Sequence, residues 1–364
     1  MVYVNLKMAR QKMCYNNQYI KKSDTFEHIE YLLYVGGIKL KIIKLITQII
    51  SKYLPLWIVL LSLIAYSFPT AFTSIRGLTG AGLGLIFLLM GLSLSTDSLV
   101  LIIKKPKYAF LGILIKWTIT VGVSIIIAAL FFSNNPEIAT GVILAGTVPS
   151  GTSANIYTFI AGGEVALSIA MATMDTLISP LLTPTLVQIF AGKFIPIAFW
   201  PIFKNIIYIV FIPLFAGLFL QWKWSEKVAI VKPYTAVLSQ LALFIVILSV
   251  ISNAQSSLKE NLSALPLIFV AVLLQVSIPM FAGYFIAKAV KVPEENARAI
   301  LFHTGICNTA LAATLAMEHV SSLAAVPAVA NMVVNLTVGA LVANLFASKY
   351  KIQKTVDIVD TKNS

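Results

Sequence analysis

The chain has 364 residues, of which 59% are hydrophobic and only 11% are charged, and its mean hydropathy is +0.90. Soluble domains carry about 25% charged residues, so the composition excludes a soluble globular protein and indicates an integral membrane protein. The formal net charge of +13 would suggest a nucleic-acid partner in a soluble protein. Here we expect no nucleic acid, because the basic residues flank apolar runs, where they set orientation in a bilayer.

The N-terminal part of the chain is polar and has no apolar core of the kind a secretory signal peptide contains. We assign 1–52 to a polar extension that ends in a basic helix. In its last part Ile42, Ile46 and Ile49 recur at helical spacing among lysines. This pattern predicts a helix lying on an anionic membrane surface, and the alternative is an entry segment to the first membrane span.

Ten apolar runs follow, each near the roughly 20 residues that a helix needs to cross a bilayer. We place the spans at 55–73, 79–96, 107–132, 138–161, 165–191, 198–220, 234–252, 264–287, 297–318 and 321–347. The connections are short and leave no room for a soluble domain. We therefore predict a first five-helix repeat at 53–191, a second at 192–348 and a cytoplasmic tail at 349–364.

The distribution of Lys and Arg predicts the orientation of these spans. With the N-terminus inside, the inner loops contain Lys104, Lys105, Lys107, Lys223, Lys227, Lys232, Lys288, Lys291 and Arg298, and the outer loops contain Arg76, Lys193 and Lys259. This excess predicts cytoplasmic N- and C-termini, in what we expect to be a bacterial cell membrane. Because each half has an odd number of spans, the second half is inverted relative to the first, as inverted repeats require. The predicted fold class is an all-α membrane protein of ten transmembrane helices in two inverted repeats.

Two of the runs are interrupted by glycine, proline and small polar residues, the fourth at 146–155 and the ninth at 303–309. Such backbone is tolerated at membrane depth only where it packs in protein or lines a cavity, and a matched pair is typical of the midplane site of a secondary transporter. A half-helix that begins after each interruption presents N–H groups and a positive dipole end, which favours a small anion such as a carboxylate. The residues predicted to bind this substrate are Thr152, Ser153, Asn155, Asn308 and Thr309.

Few ionisable residues fall inside the runs, and those that could carry chemistry are Lys116 in the third, Asp175 in the fifth and His303 at the second interruption. Insertion scales assign about 2.5–3.5 kcal/mol to a Lys or Asp at a helix centre, so we expect Lys116 and Asp175 to pair or to face water. One interpretation is a structural ion pair, and the other is that one or both titrate during transport. No nucleophile–base pair or zinc motif is apparent, so we predict neither an enzyme nor a prosthetic cofactor.

At these residues the chain resembles the bile acid:sodium symporter superfamily. The segments at 148–155, 163–168 and 177–184 are similar to the family's fourth and fifth helices, and 304–312 is similar to its ninth; the resemblance covers about 50–348. It implies a panel domain of helices 1, 2, 6 and 7 and a core domain of helices 3–5 and 8–10, in which the discontinuous helices 4 and 9 cross. It also implies import of organic anions, usually with sodium, such as pantoate, ketopantoate or bile acids.

The resemblance implies two sodium sites, and this chain departs from both. At the first, Asn155, Ser168 and Thr173 match or lie beside the family's positions, whereas Ala154 and Ala172 replace its serine and threonine. We therefore expect a weak metal site for Na⁺ at Asn155, Ser168 and Thr173.

At the second site, Lys116, His303 and Cys307 align with the family's helix-three glutamine and its helix-nine glutamate and glutamine. Hard cations prefer oxygen ligands and an ammonium repels them, so we expect this site to be lost. Our hypothesis is that Lys116, held near Asp175 or His303, replaces a sodium ion with a tethered charge. The residues predicted to act in ion or proton coupling are Lys116, Asn155, Ser168, Thr173, Asp175, His303, Thr304 and Cys307.

The function predicted from the sequence is secondary active transport of a small organic anion by alternating access, with sodium coupling altered or replaced by proton coupling. Two alternatives stay open: a cation/proton antiporter using Asp175 and Lys116, and a membrane receptor that binds without transporting. The expected partners are the anion, membrane lipids and Na⁺ or H⁺, and the sequence leaves monomer and homo-oligomer equally open.

Overall fold

The computed structural model describes residues 49–51, 53–75, 77–93 and 106–363. Most of the predicted N-terminal extension with its basic helix, the end of the second predicted span, and the loop residues Arg76, Lys104 and Lys105 lie outside the described residues.

Every regular element in the described part of the chain is helical. The helices are α1 (Leu54–Ser67), α2 (Thr79–Ser93), α3 (Pro106–Ile115), α4 (Val121–Phe131), α5 (Pro136–Gly146), α6 (Ser153–Ile160), α7 (Val165–Phe190), α8 (Phe199–Ile206), α9 (Ile212–Lys223), α10 (Ser225–Val231), α11 (Thr235–Glu260), α12 (Leu265–Ala289), α13 (Glu294–Gly305), α14 (Thr309–His319) and α15 (Val326–Asn363). Single π-helical turns at Lys116–Thr120 and Ile207–Phe211 join α3 to α4 and α8 to α9.

Six helical stretches in the described part are long and apolar enough to cross a membrane. They are Lys107–Phe131, Val165–Lys193, Phe199–Lys223, Ser225–Glu260, Leu262–Ala289 and Val326–Ala347. A seventh is obtained if α1 is counted together with the 3₁₀ helix Pro69–Ile75, which turns away from it by 104°. The protein is therefore an all-α integral membrane protein.

The first predicted span ends earlier in the structure than the sequence indicates. The first span was placed at 55–73, but α1 ends at Ser67, because Pro69 disfavours a helical Phe68 and the chain continues as a 3₁₀ turn. The last apolar stretch ends at Ala347, as predicted, and α15 continues beyond it as a helix to Asn363.

The helices pack in two sets. In the α2 group, which we define as α1, α2, α8, α9 and α11, helix α2 packs along both α9 and α11, and α1 packs on α11. In the α12 group, defined as α3–α7 and α12–α15, helix α12 packs along α13 and α15, and α4 packs on α5. The two interrupted pairs, α5–α6 and α13–α14, both belong to the α12 group.

Two glycines set the distance between α2 and α9. A Cβ at Gly91 would lie 2.3 Å from the carbonyl oxygen of Leu214, and a Cβ at Gly217 would lie 2.3 Å from that of Leu88. Small residues at a helix crossing allow this backbone approach, which gives membrane helices much of their packing energy.

We expect Gly91→Ala to destabilise the protein by about 1–3 kcal/mol, the usual range for overpacking, because the added methyl group meets backbone that cannot move away. The matched control is Gly122→Ala in α4, where a Cβ would have no atom within 4 Å. Melting temperatures of both variants in detergent check this expectation. An unchanged Gly91→Ala protein, or equal losses in the two variants, would contradict the packing described here.

Candidate functional site

The two interruptions of the helices lie against each other. Between α5 and α6, Pro149 has no N–H to donate and restricts the residue before it, so the helix cannot continue. The backbone N–H of Gly151 donates to the carbonyl of Ile306 (2.9 Å), and the N–H of Asn308 donates to the carbonyl of Pro149 (2.8 Å). These bonds form an isolated antiparallel bridge between Ser150 and Cys307. The two segments thereby satisfy backbone groups that neither helix can satisfy alone.

Side chains from neighbouring helices take up further carbonyl groups at this crossing. The hydroxyl of Thr120 donates to the carbonyl of Thr304 (2.7 Å), and the amide of Asn335 donates to that of Cys307 (3.2 Å). The ammonium of Lys116 donates to the carbonyl of Val148 at 2.5 Å. The crossing is therefore held from α15 and from the π-helical turn between α3 and α4.

Asp175 of α7 is the acceptor on which most polar groups at the crossing converge. Its carboxylate accepts from the backbone N–H of Ser150 (2.8 Å) and from the indole N–H of Trp117. Its Oδ2 lies 3.5 Å from the Lys116 Nζ and 3.5 Å from the His303 Nε2. The side chains of Lys116, Asp175 and His303 are completely buried, so the two predicted intramembrane charges form a buried ion pair beside a buried imidazole.

The ammonium of Lys116 has three kinds of partner. Besides the Val148 carbonyl and the Asp175 carboxylate, it lies 3.5 Å from the centre of the Trp117 ring, a distance suited to a cation–π contact. Lys116 begins a π-helical turn, which offsets the side chains that follow by one residue, and such turns are frequent at functional sites. The indole N–H of Trp117 donates to Oδ1 of Asp175, whereas the ammonium of Lys116 lies 3.5 Å from Oδ2.

His303 and Cys307 are buried beside the ion pair. Neither ring nitrogen of His303 has a hydrogen-bond partner within the described ranges, although the imidazole lies next to Asp175. Cys307 is a free thiol that is 5% exposed. Lys116 and His303 thus lie at 3.5 Å from the same carboxylate oxygen, and Cys307 pairs through its backbone with Ser150, whose N–H bonds that carboxylate.

The residues predicted as a weak sodium site are only partly assembled. The hydroxyl of Ser168 donates to Asn155 Oδ1 (2.6 Å), and the hydroxyl of Thr158 donates to Ser168 (3.3 Å). Thr173 instead donates to the carbonyl of Ile169 in its own helix (2.8 Å). Within the described residues, no group of three or more His, Cys, Asp or Glu side chains is arranged for a metal ion.

The predicted substrate residues lie where α6 and α14 begin, next to the crossing. Thr152 is exposed, Ser153, Asn155 and Asn308 are partly buried, and Thr309 is 5% exposed. The side chain of Asn308 accepts from the N–H of Leu311 (3.2 Å), whereas Thr152 makes no such capping bond. One half-helix thus has a side-chain cap, and the N–H groups of the other lack one.

Sequence reasoning missed several polar residues that support this site. Gln275 is buried and donates to the hydroxyl of Ser124 (2.8 Å) and to the carbonyl of Val142 (2.7 Å), and it accepts from Asn331 (3.0 Å). Asn331 and Asn335 lie four residues apart in an otherwise apolar run, so they share one helix face. That spacing was the available signal.

The chain is similar to one protein family and to named transporters from bacteria and plants. A model described as the sodium bile acid symporter family matches residues 81–261. A Bacillus subtilis protein named as an uncharacterized sodium-dependent transporter, YocS, is 32% identical over 85% of this chain and 95% of its own length. A probable sodium/metabolite cotransporter of Arabidopsis thaliana chloroplasts, BASS1, is 27% identical over 84% of this chain and 75% of its own.

We expect Asp175→Asn to lower the free energy of unfolding by about 3–5 kcal/mol, because the Lys116 charge would stay buried without its counterion. The double variant Lys116→Met/Asp175→Asn should lose less than the sum of the two single variants. Chemical unfolding in detergent measures all three. The internal control is Lys288→Met, which removes a partner from the exposed Lys288–Glu294 pair (3.0 Å) and should change stability by about 0–1 kcal/mol. Additive losses at Lys116 and Asp175 would contradict the pairing.

Proposed function

The chain belongs to the sodium bile acid symporter family, and from that premise we propose that it moves a small organic anion, such as a carboxylate, across the bacterial cell membrane by alternating access. The family and its named relatives are transporters, so the chain is a transporter and not an enzyme. The substrate class and the coupling ion are proposed here in addition to membership of the family.

The observation that carries the proposal is the bonded crossing of the two interrupted helices. It brings the starts of α6 and α14 together at a point where backbone N–H groups and small polar side chains converge. Helix starts attract anions through these N–H groups and through the helix dipole. An anion at this point would contact Thr152, Ser153 and Asn308 first, because these residues are exposed or partly buried.

The proposed architecture has ten spans in two inverted repeats, with both termini in the cytoplasm. Counting α1 with its 3₁₀ extension, α2, and the pairs α5–α6 and α13–α14 as spans adds four to the six long stretches. The α2 group contains spans 1, 2, 6 and 7 and corresponds to the proposed panel. The α12 group contains spans 3–5 and 8–10 and corresponds to the proposed core, and the division is supported because the most extensive helix contacts lie within a group.

The coupling proposal is that the Lys116 ammonium replaces a sodium ion. It bonds a backbone carbonyl and lies 3.5 Å from a carboxylate, two oxygen ligands of the kind that a hard cation prefers. A second cation about 4 Å away would be repelled by about 4 kcal/mol at an effective dielectric constant of 20. Transport would therefore be coupled to protons or uncoupled, with a weak sodium effect confined to Asn155 and Ser168.

The test of the anion proposal is a thermal-shift screen of small carboxylates, pantoate and ketopantoate among them, followed by uptake into proteoliposomes. A ligand that binds the native form alone raises the melting temperature by mass action, with about 2.7 kcal/mol of stabilisation at 100 times Kd. Asn308→Ala should abolish the shift, and Thr337→Val, whose hydroxyl bonds only its own helix, should preserve it. Cation flux that needs no organic anion would favour the antiporter, and binding without flux would favour a receptor.

A second experiment tests the tethered charge by measuring uptake with and without sodium at several pH values. We expect the native chain to retain uptake in sodium-free buffer. The triple variant Lys116→Gln/His303→Glu/Cys307→Gln restores the family's ligand types, so it should become stimulated by sodium. The coupling proposal fails if native uptake depends on sodium and ignores pH.

A further inference from the structure

The two groups of helices meet where α7 packs on α8, where α1 packs on α15, and at one half of an interrupted helix. Helix α14 packs against α2, α8 and α11, three members of the α2 group. The extensive contacts that α6 and α13 make within the described residues are all with members of the α12 group. The half-helices α6 and α13 thus make no extensive contact with the described residues of the α2 group. At the α14 end, in contrast, the two groups are in contact.

The contacts at the α14 end centre on one turn of that helix. Asn205 of α8 donates through its amide to the Glu318 carboxylate. A Cβ added to Gly80 of α2 would lie 3.0 Å from Glu318 Oε1, so α2 also approaches this carboxylate. Next to it, Asn253 of α11 contacts the sulfur of Met317 at 3.8 Å. Three helices of the α2 group therefore converge on Met317 and Glu318.

Side chains at the start of α6, on the other side of the crossing, are exposed. Thr152 at the start of α6 is exposed, and Ile156 one turn later is 60% exposed. In the proposed orientation α14 ends at the outer surface and α6 runs toward the cytoplasm. In the proposed transport cycle this arrangement corresponds to a state that is closed on the outside, with the exposed start of α6 on the inner side.

We propose that the Asn205–Glu318 hydrogen bond is a latch that holds the outer side closed and is broken and remade in each transport cycle. This inference rests on the proposed alternating-access function. The bond suits a reversible contact, because Glu318 is exposed and water can solvate the carboxylate once the bond breaks. Asn205 is held weakly on its own side, since its Oδ1 has no hydrogen-bond partner within the described ranges.

Helix α14 links this latch to the proposed substrate site. It begins at Thr309, one of the predicted substrate residues, and ends at His319. At 1.5 Å per residue the helix is about 15 Å long, and its buried side chains pack it into the α12 group. A shift of the substrate residues relative to the α2 group therefore moves Glu318 relative to Asn205.

The latch can be tested by cysteine labelling of the full chain in sealed vesicles of each orientation. Ile156→Cys reports access from the cytoplasm and Met317→Cys reports access from outside. The labelling of the native chain is subtracted from the labelling of each variant. Asn205→Asp places two carboxylates face to face, so it should slow labelling at Ile156→Cys about threefold or more and speed it at Met317→Cys. Glu318→Gln removes only the charge. It should therefore slow labelling at Ile156→Cys and speed it at Met317→Cys, each by less than Asn205→Asp does.

Two further variants control the result. The swap Asn205→Asp/Glu318→Gln rebuilds the bond with donor and acceptor exchanged, so it should restore native labelling at both reporters. Asn261→Asp adds the same charge at the same end of the molecule, where the native side chain bonds only the Ser257 carbonyl of its own helix, and it should change neither rate. Unchanged labelling in Asn205→Asp, or no recovery in the swap, would overturn the latch. Labelling needs no substrate, so a failed anion screen combined with shifted labelling would refute the anion proposal alone.

Discussion

The structure depends on satisfying backbone hydrogen bonds at a place where water cannot supply them. An unsatisfied N–H or C=O in hydrocarbon costs several kcal/mol, and two interrupted helices expose several such groups. The bonds between 149–151 and 306–308 satisfy part of them, and Lys116, Thr120 and Asn335 take up further carbonyls. Because these partners come from α15 and from the turn between α3 and α4, breaking up the α12 group would leave buried groups unpaired. This group should therefore move as a unit, and conformational change should occur where it meets the α2 group.

The second consequence concerns charge. Asp175 fixes the crossing through the N–H of Ser150 and at the same time neutralises Lys116. In the proposed account, structure and coupling therefore share one carboxylate, and the two interpretations of the pair are compatible. A tethered ammonium stabilises the crossing without a bound sodium ion. A protein that must bind sodium to assemble the same crossing has its transport coupled to sodium. In the proposed account, Lys116 stabilises the crossing and thereby removes its dependence on sodium.

The main features of this site can be predicted from the sequence because their residues depart from the usual composition of a membrane-spanning helix. Glycine, proline and polar residues in apolar runs indicate the interruptions, and the charges of Lys116 and Asp175 in such runs require partners. The sequence does not predict which hydroxyls face the site: Thr173 bonds its own helix, as threonine in a helix can. Trp117 reads as an ordinary apolar residue until the fold places its N–H beside Asp175. Long-range pairs such as Asn335 with Cys307 depend on tertiary packing, which composition and periodicity do not specify.

The most direct test of the central claim is a cryo-electron microscopy map of the chain in lipid nanodiscs, recorded once without sodium and once with it. We expect the Lys116 ammonium to contact the Val148 carbonyl and Asp175 in both maps, with the interrupted helices bonded across the same residues and no ion between them. A Lys116 side chain withdrawn from the crossing, with a sodium ion bound at Asp175 in its place, would contradict the account.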